Sequence, residues 1–206
     1  MKTKFLRILS VFACLAFFIV SPNVNNAFAT WKIENDTLVI FNERAGNLDD
    51  NFKAEQFGKY KTLVVKGDVD SDDFLILQIL ANTCNTLDLS GVRTTLIPRG
   101  AFKMMRNLEK VVLPISLEVI DEEAFALCSN VIIDTLPKNI KAIKCSAFLG
   151  CKKLTLTIPA GVDVGRNAFA CCTNVCLPEN LSTTNITIPT RRLSLFSAIL
   201  SLVGWQ

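Results

Sequence analysis

The sequence has 206 residues, enough for one domain with a sizeable core, and it contains no histidine. The absence of histidine excludes imidazole general bases, Ser-His-Asp and Cys-His nucleophile pairs, and His-containing metal sites. The formal charge of +3 comes from Lys2, Lys4 and Arg7, because the remaining 22 − 3 = 19 bases balance 19 acids. The rest of the chain is therefore neutral and has no electrostatic signature of nucleic-acid binding.

The first 29 residues have the pattern of a signal peptide. A basic start is followed by an apolar run over residues 11–20 and then by Ala27-Phe28-Ala29, which places small residues where signal peptidase requires them. We predict cleavage between Ala29 and Thr30, and hence an exported protein that is secreted or held at the cell surface. A transmembrane anchor is disfavoured because the apolar run is shorter than the ~20 residues that span a bilayer. A lipid-modified Cys14 is disfavoured because apolar residues follow it.

Short apolar runs that begin with Thr-Leu recur in residues 30–93. They start at Thr37, Thr62 and Thr86, at spacings of 25 and 24 residues, and such runs predict strands. We predict that residues 30–93 form an amino-terminal cap and irregular first repeats, since an open end of a stacked array would expose its core.

An acidic segment at residues 68–73 precedes an apolar stretch that ends near Cys84. Acidic residues suit the positive end of a helix dipole, so the pattern predicts a helix start there. The D-x-D-x-D spacing also resembles the opening of a calcium loop. However, Asp73 stands where such a loop has glycine and Ile79 where it has an acid. We therefore expect helix capping and no metal site.

Four units of about 23 residues follow in residues 94–189. An Ala-Phe pair occurs in each, with the phenylalanines 23, 23 and 21 residues apart, and Leu-Pro or Ile-Pro closes each unit. The residue three places after each phenylalanine is Met or Cys. The phenylalanines are Phe102, Phe125, Phe148 and Phe169, and the prolines are Pro114, Pro137, Pro159 and Pro178. One such unit cannot bury its own apolar side, so the repeat predicts a strand-rich α/β repeat solenoid with short helical turns.

The run I-P-x-x-A-F, followed by x-x-C-x-x-L and x-x-V-x-L-P, resembles the BspA-like class of bacterial leucine-rich repeat surface proteins. The resemblance covers roughly residues 62–178. It implies a right-handed leucine-rich repeat superhelix, export or surface display in host-associated anaerobes, and binding to host extracellular or bacterial surface proteins. It implies no cofactor.

Seven cysteines remain if the signal peptide is removed, an odd number that cannot all pair within one chain. Cys128, Cys151 and Cys172 share a repeat position with Met105, so we expect that position to need compact apolar volume rather than a thiol. A disulfide among Cys145, Cys171 and Cys176 is left open.

The candidate binding residues are those expected to point outward from the strands. They include Thr62 and Val64, and the predicted site comprises Asp88, Lys110, Val112, Thr135, Thr155 and Thr157. Asp134 seems out of place, because the strand pattern favours an apolar residue there. With five-residue strands the face would measure about 490 Å² in projection. We predict non-catalytic protein binding through this face. The alternative is a structural spacer or stalk, since threonine and valine also suit exposed strands that bind nothing.

Residues 190–206 end the sequence in an apolar tail. The 14 residues from Leu193 to Gln206 are too few to span a membrane, and Ser194, Ser197 and Ser201 fall on one helical stripe. We expect a docked cap. A helix on a membrane surface and a truncated coding sequence are the alternatives.

Overall fold

A computed structural model describes residues 29–46, 48, 58 and 60–178. The signal peptide up to residue 28, the end of the last repeat and the tail over residues 190–206 lie outside the described residues, so these remain predictions.

The fold begins with a hairpin that the sequence did not predict. β1 (Thr30–Glu34) runs antiparallel to β2 (Thr37–Asn42). The two turn residues, Asn35 and Asp36, both have positive φ, as hairpin turns of two residues require.

Two longer parallel strands continue this sheet. β3 (Thr62–Asp68) pairs with β2 and then with β4 (Thr86–Arg93). Leu63 lies between the equivalent leucines of its two neighbours in the register, and its side chain is fully buried. The predicted Thr-Leu strands are therefore confirmed.

One helix, α1 (Ser71–Ala81), lies between β3 and β4. The Asp70 side chain accepts hydrogen bonds from the backbone N–H groups of Asp72 and Asp73, and the Asp73 side chain accepts one from the backbone N–H of Asp70. This is a capping box, so the capping prediction is confirmed. The helix ends at Ala81, three residues before the predicted end.

The repeats place one short strand in each of two parallel sheets. The first sheet has the order β1-β2-β3-β4-β6-β8, and a separate β10–β12 pair follows on the same side. The second sheet, which was not predicted, has the order β11-β9-β7-β5. The strands of the first sheet and the pair are β6 (Lys110–Val112), β8 (Ile132–Ile133), β10 (Thr155–Thr157) and β12 (Asn174–Cys176); those of the second are β5 (Leu96–Ile97), β7 (Val119–Ile120), β9 (Ala142–Ile143) and β11 (Asp163–Val164).

The repeated phenylalanines stack along the third side of the solenoid. Their side chains are fully buried, and successive ring centroids from Phe102 to Phe169 are 5.4, 5.4 and 5.6 Å apart with interplanar angles of 23°, 2° and 4°. The chain thus forms a repeat solenoid around one continuous apolar core.

Two left-handed positions frame every Ala-Phe pair, two residues before and two residues after the phenylalanine. The first set is Gly100, Glu123, Ser146 and Asn167, and the second is Met104, Leu127, Gly150 and Cys171. At the second set, the Met104 N–H donates to Ala126 O and the Leu127 N–H donates to Leu149 O, each at 2.7 Å. These hydrogen bonds between turns help to offset the conformational cost of positive φ in residues other than glycine.

The three column cysteines are buried as expected, but their thiols have a function in the packing. Each Sγ–H donates to the carbonyl oxygen of the phenylalanine in the preceding turn, at 3.0 Å for Cys128, 3.1 Å for Cys151 and 3.1 Å for Cys172. The expectation that only apolar volume matters at this position was therefore wrong, because the thiol also supplies a weak hydrogen-bond donor.

Candidate interaction surface

The outward side chains of the first sheet form two rows, which we call the strand face. The strand register aligns them across the turns. One row is Thr37, Thr62, Thr86, Lys110 and Ile132; the other is Val39, Val64, Asp88 and Val112, continued by Asp134. In the β10–β12 pair, Thr155 lies beside Asn174 and Thr157 beside Cys176.

Five of the six predicted site residues belong to this face, and Thr135 does not. Thr135 lies two residues beyond the end of β8, although it is exposed. Ile133 pairs with the inward-facing Val111, so Ile132 takes the outward position in β8. Ile132 is 43% exposed and was missed, because an isoleucine between two apolar neighbours gives no alternating signal.

Asp134 was also misjudged from the sequence. Its side chain is exposed, and its Oδ2 atom lies 3.0 Å from Lys110 Nζ, one turn earlier in the solenoid. An aspartate at this position is consistent with the register, because it continues the outward row after Val112 rather than the buried row.

The charges of the strand face are largely compensated locally. Lys110 pairs with Asp134, and Asp88 Oδ1 accepts a hydrogen bond of 2.9 Å from the backbone N–H of Ser90. Farther toward β1, Lys66 Nζ lies 5.4 Å from the centroid of the Phe41 ring, a cation–π distance. The face therefore combines hydroxyl, aliphatic and paired charged groups, without a block of one charge.

An ion pair lies at the edge of this surface, at the ends of β3 and β4. The Arg93 guanidinium donates two hydrogen bonds to Asp68, of 2.7 and 3.0 Å. These hydrogen bonds and the adjacent positive charge lower the pKa of the Asp68 carboxyl below its usual value. Both side chains are well exposed, so the pair contributes little to stability.

The other acids of residues 68–73 are accounted for by structure rather than by metal binding. The buried Asp73 carboxylate accepts hydrogen bonds from Asn42 Nδ2 and from the backbone N–H groups of Gly46, Leu48 and Asp70. Because its oxygens are taken by N–H donors, this carboxylate does not resemble a calcium ligand. Across the described part of the chain, no group of three or more Cys, Asp or Glu side chains could hold a metal ion.

The cysteines show no active thiol. Burial raises the pKa of Cys128 and of Cys172 to about 11, and it raises that of Cys84 to about 12. Cys145 and Cys171 are exposed and Cys176 is half-buried; all three are free in the structure. A raised pKa keeps a thiol protonated and unreactive at neutral pH, so the buried cysteines belong to the core.

A search of the described residues for a helix long and apolar enough to cross a membrane finds none.

Comparisons with known proteins agree with the repeat. Residues 93–195 match, in six copies, the family described as BspA type leucine rich repeat region. The sequence has no significant match among curated proteins.

Three solved structures of leucine-rich repeat proteins are similar to the chain. One from Bacteroides ovatus is 19% identical, with 81% of this chain and 41% of that chain covered and a TM-score of 0.41. One from Eubacterium ventriosum is 14% identical, with 75% and 43% covered and a TM-score of 0.40. The T. pallidum leucine-rich repeat protein is 16% identical, with 87% and 94% covered and a TM-score of 0.39. The chain spans about two fifths of the length of the first two proteins.

Proposed function

The chain belongs to the BspA-type leucine-rich repeat family, and on that premise we propose that it is an exported, non-catalytic module that binds another protein through its strand face. A leucine-rich repeat solenoid presents a regular surface on which adjacent turns can contact one partner together. Such a partner would be a host extracellular protein or a bacterial surface protein.

The observation that carries this proposal is the alignment of outward side chains from successive turns. Thr86, Lys110 and Ile132 stand side by side in the register of β4, β6 and β8. Their neighbours Asp88 and Val112 form the adjacent row. A partner could therefore contact several turns at once, with apolar contact at Ile132 and hydrogen bonding at the threonines and the ion pair.

The dimensions of the face favour weak binding by one copy. In the repeats the strands are two or three residues long, shorter than the five residues expected from the sequence. The projected area is therefore below the expected ~490 Å² over the repeats, and a stable interface buries about 800 Å² per partner. Firm adhesion would then require many copies on one surface, because avidity multiplies weak contacts.

Export is supported by the signal-peptide pattern of residues 1–29. The start of the fold is compatible with cleavage after Ala29, since β1 begins at Thr30. Cleavage there would leave the whole hairpin in the mature chain.

The test is a pull-down of cell-surface and extracellular-matrix proteins with the purified protein, followed by affinity measurements on variants. Val112→Glu and Thr155→Glu should weaken binding to the captured partner while changing the melting temperature little, because both side chains lie on the outer side of the sheet. Ile115→Glu is the matched control, since Ile115 is the most exposed large apolar residue described and lies outside the strand face.

The alternative function, a spacer or stalk with no specific ligand, predicts a different result. A spacer would capture no partner whose binding depends on Val112 or Thr155. If binding were lost with Ile115→Glu and kept with Val112→Glu, the partner would contact another surface and the strand-face proposal would be wrong.

A further inference from the structure

The solenoid exposes an apolar ridge on the side of the stacked phenylalanines, away from the strand face. The ridge consists of Leu75 and Ile79 on α1 and of Met104 and Leu127 at the left-handed positions of the next two turns. Their exposed fractions are 60%, 57%, 53% and 39%. These are four of the nine large apolar residues that are exposed in the described part of the chain. Exposed apolar residues concentrated on one side commonly indicate a surface that another segment covers.

Contacts between the elements show that the ridge is continuous. The Phe74 ring lies 5.9 Å from the Phe102 ring, and Gln78 Nε2 lies 3.4 Å from Gly100 O, so α1 runs alongside the first Ala-Phe turn. The helix runs antiparallel to that turn, and Leu75, next to Phe74, therefore lies toward Met104. Leu127 occupies the equivalent position one turn later.

The ridge becomes lower toward the last described turn. Gly150 follows Leu127 at the same position, and a Cβ atom there would lie 3.1 Å from Leu127 Cδ2. Cys171 completes the column with a small, exposed side chain. The column thus leads from α1 to within a few residues of Pro178, where the described chain ends.

We propose that residues 193–203 form a short helix that packs along this apolar ridge of the same chain. The segment reads Leu-Ser-Leu-Phe-Ser-Ala-Ile-Leu-Ser-Leu-Val. Eleven helical residues are about 17 Å long, and the three steps from Phe102 to Phe169 are 5.4, 5.4 and 5.6 Å. The linking residues 179–192 can extend to about 45 Å, which is ample for this placement.

The distribution of side chains in the segment gives the orientation. On a helix, Ser194, Ser197 and Ser201 share one stripe, and Ile199 lies on the opposite side. The serine stripe would face water while Phe196 and Ile199 contact the ridge, so that both apolar surfaces are removed from water. This inference does not depend on the proposed binding function, because it concerns the opposite side of the solenoid.

The neighbouring residues Met104 and Met105 supply a built-in probe. Met104 lies on the ridge, whereas Met105 is 4% exposed and serves as an internal control. Oxidation by hydrogen peroxide, followed by peptide mass spectrometry on the purified protein, compares three chains: unaltered, Ile199→Glu and Ser197→Glu. We expect Met104 to oxidise roughly ten-fold faster in Ile199→Glu than in the other two, with Met105 slow in all three.

Several results would overturn the proposal. Equal oxidation of Met104 in the unaltered chain and in Ile199→Glu would show that the segment does not cover the ridge. Protection that increases with protein concentration would assign the cover to a second copy. If Met104 became protected only when phosphatidylcholine vesicles were added, the segment would be a membrane-surface helix instead.

A second measurement approaches the contact from the ridge and guards against misfolding of the tail variants. Trypsin cleavage after Arg191 and Arg192 should be faster in Leu127→Glu, because the released segment becomes accessible. Ile132→Glu is the matched control, since Ile132 is similarly exposed but lies on the strand face. Equal cleavage rates in the two variants would contradict packing on the ridge.

Discussion

The Cys151 Sγ atom lies 3.1 Å from the carbonyl oxygen of Phe125, one turn earlier in the solenoid. The same carbonyl accepts a hydrogen bond of 3.2 Å from the Cys128 N–H within its own turn. The thiol is therefore a second donor to a carbonyl that is already satisfied. This geometry separates the volume of the side chain from its hydrogen bond, and substitutions can measure the two contributions.

Replacing Cys151 by alanine should lower the free energy of unfolding by about 1–3 kcal/mol, because it leaves a cavity in a fully buried position. Cys151→Val should cost less, since it restores volume and Phe125 O keeps its backbone donor. Urea denaturation of both variants measures the difference. If valine costs as much as alanine, the thiol hydrogen bond outweighs the volume; a disulfide or bound metal at Cys151 would refute its core role.

Stability should fall as the pH rises from about 9 toward 11. The unfolded chain ionises its thiols near the ordinary pKa of 9.0, whereas burial raises the pKa of Cys128 and Cys172 to about 11. Their stabilising effect is complete below pH 9 and is lost on passing through the folded pKa. Each thiol contributes a slope of up to about 1.4 kcal/mol per pH unit.

Thermal unfolding at several pH values under reducing conditions measures this slope. Cys128→Val combined with Cys172→Val should flatten it, while lysine ionisation, which affects both proteins equally, cancels in the comparison. An unchanged slope in the double variant would show that these thiols do not cause the alkaline destabilisation.

Asp73→Asn should destabilise the amino-terminal part of the fold. The carboxylate accepts N–H donors from Asn42, Gly46, Leu48 and Asp70, and an amide NH₂ group cannot accept. Each buried donor left unpaired costs about 1–3 kcal/mol. Asp72→Asn is the control, because Asp72 is exposed and loses only a helix-dipole interaction of about 0.3–1 kcal/mol. Chemical denaturation that ranks the two variants equally would contradict the buried network.

Binding through the strand face should depend little on salt. Lys110 and Asp134 are already paired with one another, so the partner has no uncompensated cluster of charge to neutralise here. Affinity for the captured partner, measured at low and high sodium chloride concentrations, should be nearly constant. A steep loss with salt would indicate that contact occurs at unpaired charges elsewhere on the solenoid.

Amino-terminal sequencing of protein recovered from the producing cells should begin at Thr30. The pattern Ala27-Phe28-Ala29 predicts this cleavage. A chain that retains Met1, or that begins with a lipid-modified Cys14, would contradict soluble export.

The repeat periodicity was sufficient to predict the stacked turns, because Phe125 and Phe148 occupy the same place in units of 23 residues. The second sheet was not foreseen, since strands of two residues, such as Ala142–Ile143, are too short to give an alternating pattern. The left-handed corners were missed because Glu123 and Ser146 do not signal positive φ as glycine would. Those corners depend on hydrogen bonds to the next turn, which no local pattern encodes.

The strand face was predicted in outline, and its errors have one cause. Thr135 was included and Ile132 omitted because the alternation in β8 is obscured by adjacent apolar residues. Only the pairing of Ile133 with Val111 determines which side chains point outward. A shift of one residue reverses the two faces of a strand, so register is the least predictable property of such a site.

The ring geometry along the core also shows where the array could lengthen. Phe125 and Phe148 stack at 5.4 Å with their planes only 2° apart, so a duplicated 23-residue unit inserted between them would meet matching surfaces on both sides. At the other end, Phe74 meets Phe102 edge-on at 70°, and an inserted unit there would find no parallel ring. Gene duplication could therefore enlarge the strand face only on the carboxyl-terminal side of α1, which makes the helix a fixed origin for growth of the repeat.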